Sequence, residues 1–126
     1  MTRINVGVKP QELPDKLLLA EHREIKRIPN CILKGRYNLD GIPNKFTLGK
    51  GHVKFFYDKI EYLHRRYVAL YVECTNRKFQ VQAYTDLFFD VKVKHPELYN
   101  NWFAFDEDRQ LIIQRIKSKG FKPKEV

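Results

Sequence analysis

Cysteine is scarce in this chain, and the little there is carries no pattern. Cys31 and Cys74 stand far apart, without CxxC spacing. A disulfide framework and a thiolate zinc motif are therefore excluded, and both residues read as reduced, buried thiols. Histidine offers no metal site either, because His22, His52 and His64 are not spaced with Cys or carboxylates as ligands would be. Long apolar runs are missing as well. No window of about 18 apolar residues exists, so no membrane-spanning helix is expected. The opening residues hold no apolar h-region, so a secretory signal is not expected. Repeats, low-complexity tracts and linkers are absent, which leaves one compact domain over residues 1–126. No G-x-S-x-G elbow and no nucleotide P-loop spacing occurs.

Acidic residues are also short. Fifteen Asp and Glu face 24 Lys and Arg, for a net charge of +9 and a pI near 9.6. A solvated surface does not need that imbalance, and nucleic acid is the usual partner of so basic a small domain. The basic residues are spread over several segments, which argues against a membrane-surface role.

What is present reads as helix. Gly7, Pro10 and Pro14 keep residues 1–14 irregular. Asp15 fits an N-cap, and the pattern predicts a helix from Lys16 to about Ile28, ended by Pro29-Asn30, with further helical turn around Cys31–Arg36. Breakers from Asn38 to Gly51 predict a loop over 37–51. From Val53 to Cys74 apolar residues follow the 3.6 period, predicting one long helix as the spine of the core. Within 79–105, Phe79, Val81, Ala83 and Phe89, Val91, Val93 alternate, which fits either short strands or an irregular apolar wrap. Trp102, Phe103 and Phe105 read as core. A third helix begins with Asp106 as N-cap and ends at Gly120, before a basic, frayed tail over 121–126. The expected fold is all-α, a single compact domain of three main helices with long irregular connections.

Several residues could do chemistry. A small residue follows Met1, so processing would expose the α-amine of Thr2, with a pKa of about 7.7–8.0. At neutral pH part of that amine is a free nucleophile. Nearby cations would lower its pKa and a nearby carboxylate would raise it. In the first helix Leu17, Glu21, Glu24 and Ile28 share a face, so two carboxylates interrupt an apolar stripe. Arg23 and Arg27 lie i, i+4 on the neighbouring face beside Lys26. Surface ion pairing is one account, and a cleft whose arginines hold phosphates around a glutamate is the other. Arg115 and Lys119 form a second i, i+4 pair, either a solvated face or a phosphate grip. Leu48-Gly49-Lys50-Gly51-His52 is either a tight turn or a backbone-phosphate contact. His64, on the apolar stripe, reads as a satisfied core histidine.

Three blocks together resemble a known family: Thr2-Arg3-Ile4-Asn5, then Leu19-Ala20-Glu21-His22-Arg23-Glu24 with Arg27, then Leu48-Gly49-x-Gly51-His52-Val53-x-Phe55-Phe56-Tyr57-Asp58-Lys59. They are similar to the pyrimidine-dimer DNA glycosylases, the phage-type endonuclease V that repairs ultraviolet damage. Gln114-Arg115-Ile116-x-x-Lys119 resembles it more faintly. The resemblance implies a compact all-α enzyme acting on double-stranded damaged DNA as a monomer, without metal or cofactor, in the cytoplasm of a bacterial or virus-infected cell. It implies catalytic roles for Thr2 and Glu24: the Thr2 amine forms an imine with C1′ as the base leaves, and Glu24 assists β-elimination. It implies DNA contacts by Arg3, Arg23, Arg27, Arg115 and Lys119, with Lys50 and His52 as candidates from the glycine-rich turn. The family's aromatic-rich basic tail is missing here, and 80–105 departs from its pattern. Another damaged base, or abasic sites alone, therefore stands beside the cyclobutane dimer as substrate, and a non-catalytic DNA-binding protein is the alternative from another class.

Overall fold

The computed structural model describes residues 2–126. Among these the regular structure is entirely helical. Six α-helices follow in order: α1 (Asp15–Glu24), α2 (Arg27–Leu33), α3 (His52–Phe55), α4 (Ile60–Asn76), α5 (Thr85–Lys94) and α6 (Asp106–Ser118). Short 3-10 turns occupy Pro10–Glu12 and Pro96–Leu98. One apolar core joins them, and α4 is its spine, turning Ile60, Leu63, Tyr67, Leu70 and Cys74 inward. Helices α1 and α5 pack on α4, and α2 packs on α5.

Two of the three expected helices are broken, each for a local reason. Pro29 has no N–H to donate to the carbonyl of Ile25, and its ring crowds that carbonyl. The ladder therefore stops a turn ahead of the proline, and α1 ends at Glu24. Pro29 then sits in the first turn of α2, where no N–H is required. Asp15 is the first residue of α1 rather than its cap, which is Pro14. The expected 53–74 helix divides between α3 and α4. Lys59 Nζ donates to the Phe55 carbonyl at 3.0 Å, and Asn100 Nδ2 donates to the Asp58 carbonyl at 2.9 Å. Carbonyls that would have continued a helix are satisfied by side chains instead.

The stretch 79–105 forms neither strands nor an irregular wrap throughout, because Thr85–Lys94 is the helix α5. It buries only Phe88 and Val91, one turn apart, while Phe89 and Val93 face solvent. Their alternation with Val91 is a coincidence of sequence. Trp102 packs edge-on against Phe55 and Tyr62 as a core residue should. Phe103 and Phe105 do not, being 79% and 66% exposed. At α6, Phe105 is the N-cap residue, and Asp108 reaches back to accept its N–H at 2.9 Å.

The amino-terminal segment is the least regular part of the fold and among the most buried. Ile4, Val6 and Val8 are fully enclosed. Their backbone has no ladder, so side chains from other elements must satisfy it. His52 of α3 accepts the Ile4 N–H at 3.0 Å. Arg66 of α4 donates to the Val8 carbonyl at 2.8 Å, and Arg109 of α6 to the Gly7 carbonyl at 3.0 Å. Arg109 also grips Glu12 with both Nη atoms, which holds that carboxyl below its usual range. Arg66 is the one cation on the inward face of α4. Burial opposes its charge, but the Glu21 carboxylate, engaged through Nε and Nη2, outweighs burial and raises its pKa.

Removing one member of such a buried pair leaves an uncompensated charge, at a cost of about 3–5 kcal/mol. Arg66→Met is therefore expected to lower the unfolding free energy by about that much. Arg65→Met, next in sequence but in an exposed pair with Glu61, is expected to cost less than about 0.5 kcal/mol. Denaturant titration of the two variants checks the contrast.

Candidate active site

A cavity of about 230 Å³ opens where the amino-terminal segment, α1 and the end of α6 meet. One wall is polar: Arg3, Asn5, Glu21, Glu24, Arg115 and Lys119. The other is apolar: Leu17 and Ala20 of α1, Ile116 of α6 and Phe121 beyond it. Helical spacing explains the first contribution, since residues 17, 20, 21 and 24 recur at three and four along one face of α1. That face carries both carboxylates. They are deployed differently.

Glu21 is sealed, 1% exposed. Its Oε1 accepts from Asn5 Nδ2 at 2.7 Å, and Asn5 Oδ1 in turn accepts from Arg115 Nη2 at 2.7 Å. With Arg66 this makes a continuous buried chain, Arg66–Glu21–Asn5–Arg115, from α4 to α6. Glu24 stands at the mouth. Its side chain is 14% exposed, and Oε1 accepts the Arg3 backbone N–H at 3.3 Å. Arg23, 61% exposed, reaches Glu24 Oε2 at 3.6 Å. The carboxylate thus stays tethered to the residue beside Thr2, and Thr2 itself is half-buried. Thr2 thus adjoins a residue bonded to Glu24, although Thr2 itself is not among the residues that line the cavity. Processing at Met1 lies outside the described residues.

Arg115 is the strained member. Its Nη1 atom is buried without a hydrogen-bond partner among the described residues. Burial, reinforced by the positive charge of Arg3, lowers its pKa to about 10. It remains charged at neutral pH, and an anion in the cavity would relieve both the missing bond and the repulsion. Lys119, one turn on, is exposed at the same wall. Arg27 is exposed at the start of α2 and Lys50 in the turn before α3; neither lines the cavity.

His52 is not a surface group, which corrects the expectation that it touches DNA. It is 3% exposed, packed against Phe46 and Phe56. Because Nε2 accepts from Ile4, the proton belongs on Nδ1, which donates to the Thr47 carbonyl at 3.0 Å. The glycine-rich segment is accordingly a tight turn. Gly51 caps α3 with φ of +90°, a conformation that favours glycine, and a Cβ there would stand 3.2 Å from Pro43. Its service to the cavity is indirect: it aims His52 at Ile4, and so fixes where the chain's beginning lies.

Sequence reasoning passed over Asn5, Arg66 and Phe121 as parts of the site. A lone arginine on the buried stripe of α4 was the available signal for Arg66. Phe121 belongs to a tail expected to fray, yet its N–H donates to the Ile116 carbonyl at 3.1 Å and that of Gly120 to Lys117 at 3.0 Å. These two bonds, with Gly120 at φ +84°, form a Schellman motif that turns Phe121 back onto Ile116.

Comparison with protein-family models matches residues 1–86 to the family described as pyrimidine dimer DNA glycosylase. The chain belongs to that family. Membership implies damaged DNA as the substrate and glycosidic bond cleavage as the activity. The matched region holds Arg3, Glu21, Glu24 and His52, while Arg115, Lys119 and Phe121 of this family member lie beyond it.

The environment of His52 gives the glycosylase a pH signature. Burial, then the charges of Arg115 and Arg3, lower its pKa to about 4 against the raising effect of the Thr47 carbonyl. The unfolded chain takes up this proton near pH 6.5; the folded chain does not until about pH 4. The unfolded state therefore binds more protons across that window, and stability falls as pH falls through it. His22 and His64, also lowered by burial, act in the same direction. The His52 contribution to the loss between pH 7.5 and pH 5 is expected to be about 2 kcal/mol, read from denaturant midpoints, with His52→Gln flattening the profile.

Proposed function

We propose that this glycosylase is bifunctional, removing the base at cyclobutane pyrimidine dimers in duplex DNA and then cutting the strand. The nucleophile is the α-amine of Thr2, freed by loss of Met1. It attacks C1′ of the damaged nucleotide, and the base departs with the glycosidic electron pair. The nitrogen then gives up a proton, and its lone pair forms the C1′=N bond as the C1′–O4′ bond opens with its electrons on O4′. That oxygen takes up a proton, so that an imine joins protein and sugar. Glu24 stabilises the cationic charge that develops at C1′ and assists removal of a C2′ proton. The C3′–O bond then breaks, cutting 3′ to the abasic sugar. Arg3, Arg115 and Lys119 hold the flanking phosphate within the cavity, and Arg23, Arg27 and Lys50 engage the backbone outside it. The enzyme acts as a monomer and requires no cofactor.

The observation that carries this reading is the hydrogen bond from the Arg3 N–H to Glu24. It tethers a cavity-lining carboxylate to the residue that follows Thr2. An ordinary lysine nucleophile would need its pKa moved down from about 10.4, whereas an α-amine starts near neutrality. Arg115 Nη1, buried and without a partner among the described residues, supports an anionic group in the same cavity.

Borohydride added during reaction with ultraviolet-damaged duplex is expected to trap a covalent protein–DNA adduct through the Thr2 nitrogen, identified by mass spectrometry. Glu24→Gln is expected to reduce strand cleavage by about 10²–10⁴-fold, the range of general acid–base catalysis. Full turnover by Glu24→Gln, or an adduct mapped to a lysine, contradicts the assignment. Arg27→Ala is expected to weaken binding while reducing the slope of log K against log salt by about 1.

A further inference from the structure

The apolar wall of the cavity is more than lining, because Phe121 is held there from both sides. On one side the Schellman bond from its N–H to the Ile116 carbonyl fixes its backbone to α6. On the other, the Lys124 N–H donates to the Glu12 carbonyl at 2.7 Å, and Lys124 Nζ stands 3.9 Å from Asp15 at the head of α1. The tail thereby spans the gap between α6 and α1: the half-buried Phe121 lines the cavity together with Leu17 and Ala20 of α1, and Lys16 Nζ of α1 stands 6.0 Å from its ring centroid. A phenyl ring is a poor choice for gripping a sugar-phosphate, and a good one for keeping water out of a small cavity.

We propose that Phe121 is a positioning residue that closes the cavity to water over the covalent sugar adduct, and so sets how that adduct divides between two fates. The proposal rests on the imine mechanism above. In one fate water adds to C1′, the C1′–N bond breaks with its electrons returning to the amine, and an uncut strand with an abasic aldehyde is released. In the other a carboxylate takes the C2′ proton, the C–H electrons form the C2′=C3′ double bond, and the C3′–O bond breaks with its electrons leaving on the phosphate oxygen. The first needs water before the strand is cut; in the second water is needed only afterwards, to hydrolyse the remaining imine and release the enzyme. Excluding water from the cavity therefore favours the cut strand.

The test uses the full chain, with Met1 removed, on an end-labelled duplex carrying one pyrimidine dimer. Uncut abasic strand, revealed by hot alkali, is measured against strand cut by the enzyme. Phe121→Ala is expected to raise the ratio of uncut to cut product by about threefold or more, and Phe121→Leu to restore it. Phe121→Gln, similar in length but hydrated, is expected to behave like Phe121→Ala and serves in its place if that variant does not fold. A purely structural role would lower both products together and leave the ratio unmoved; an unmoved ratio in the folded variants overturns the proposal. Borohydride trapping of the unaltered protein separates the two levels. An adduct with an unmoved ratio sinks the Phe121 assignment alone, whereas no adduct sinks the imine mechanism and this inference with it.

Discussion

A free chain end is ordinarily the least ordered part of a protein, because nothing follows it to hold it in place. For the Thr2 amine to act as proposed, its neighbours must be fixed by something other than chain continuity. Here the fixing is done by the buried chain Arg66–Glu21–Asn5–Arg115, joined by His52 on Ile4 and Glu24 on Arg3. Residues 3 to 8 have no regular secondary structure, yet three core side chains and six long-range hydrogen bonds to α1, α3, α4 and α6 define their path. The helices of this fold serve as a frame on which an irregular segment, turned at Asn5–Val8, is hung.

The two glutamates of α1 show how one helix face serves two ends. Glu21 is saturated with donors and closed to solvent, so it organises and does not react. Glu24, one turn later, has one backbone donor and a partly open side chain. Burial and hydrogen-bond count, rather than residue type, separate the structural carboxylate from the available one. Arg115 has the complementary imbalance: one Nη atom is committed to Asn5 while the other is buried with no partner among the described residues. The cavity therefore holds an available acceptor at its mouth and an unmet cationic donor in its wall.

Much of this was legible in the sequence. The helical content, the loop over 37–51, the inward stripe of α4 and the shared face of Glu21 and Glu24 follow from periodicity and breakers. What escaped did so for identifiable reasons. Pro29 signals an interruption, but the bond it removes lies four residues earlier, so the helix ends at Glu24. α5 has a single turn of buried apolar contacts, too little for periodicity to register, and two exposed apolar residues mimic a strand. Arg66, Asn5 and His52 act through partners 16 to 110 positions away, a relation that no window along the chain can report. Phe121 was hidden by its place in a short basic tail, where only the glycine before it marked a defined turn.

The way the amino-terminal segment is suspended also determines where the chain can tolerate a change in length. Each residue of extended backbone adds about 3.3–3.6 Å, more than the length of a hydrogen bond. One extra residue between Thr2 and Ile4 would carry the tip of the chain past Glu24 with no slack to absorb the shift, whereas the exposed turns around Asn38 to Asn44 have room to bulge. Added length is therefore better absorbed in that exposed loop than between residues 2 and 4.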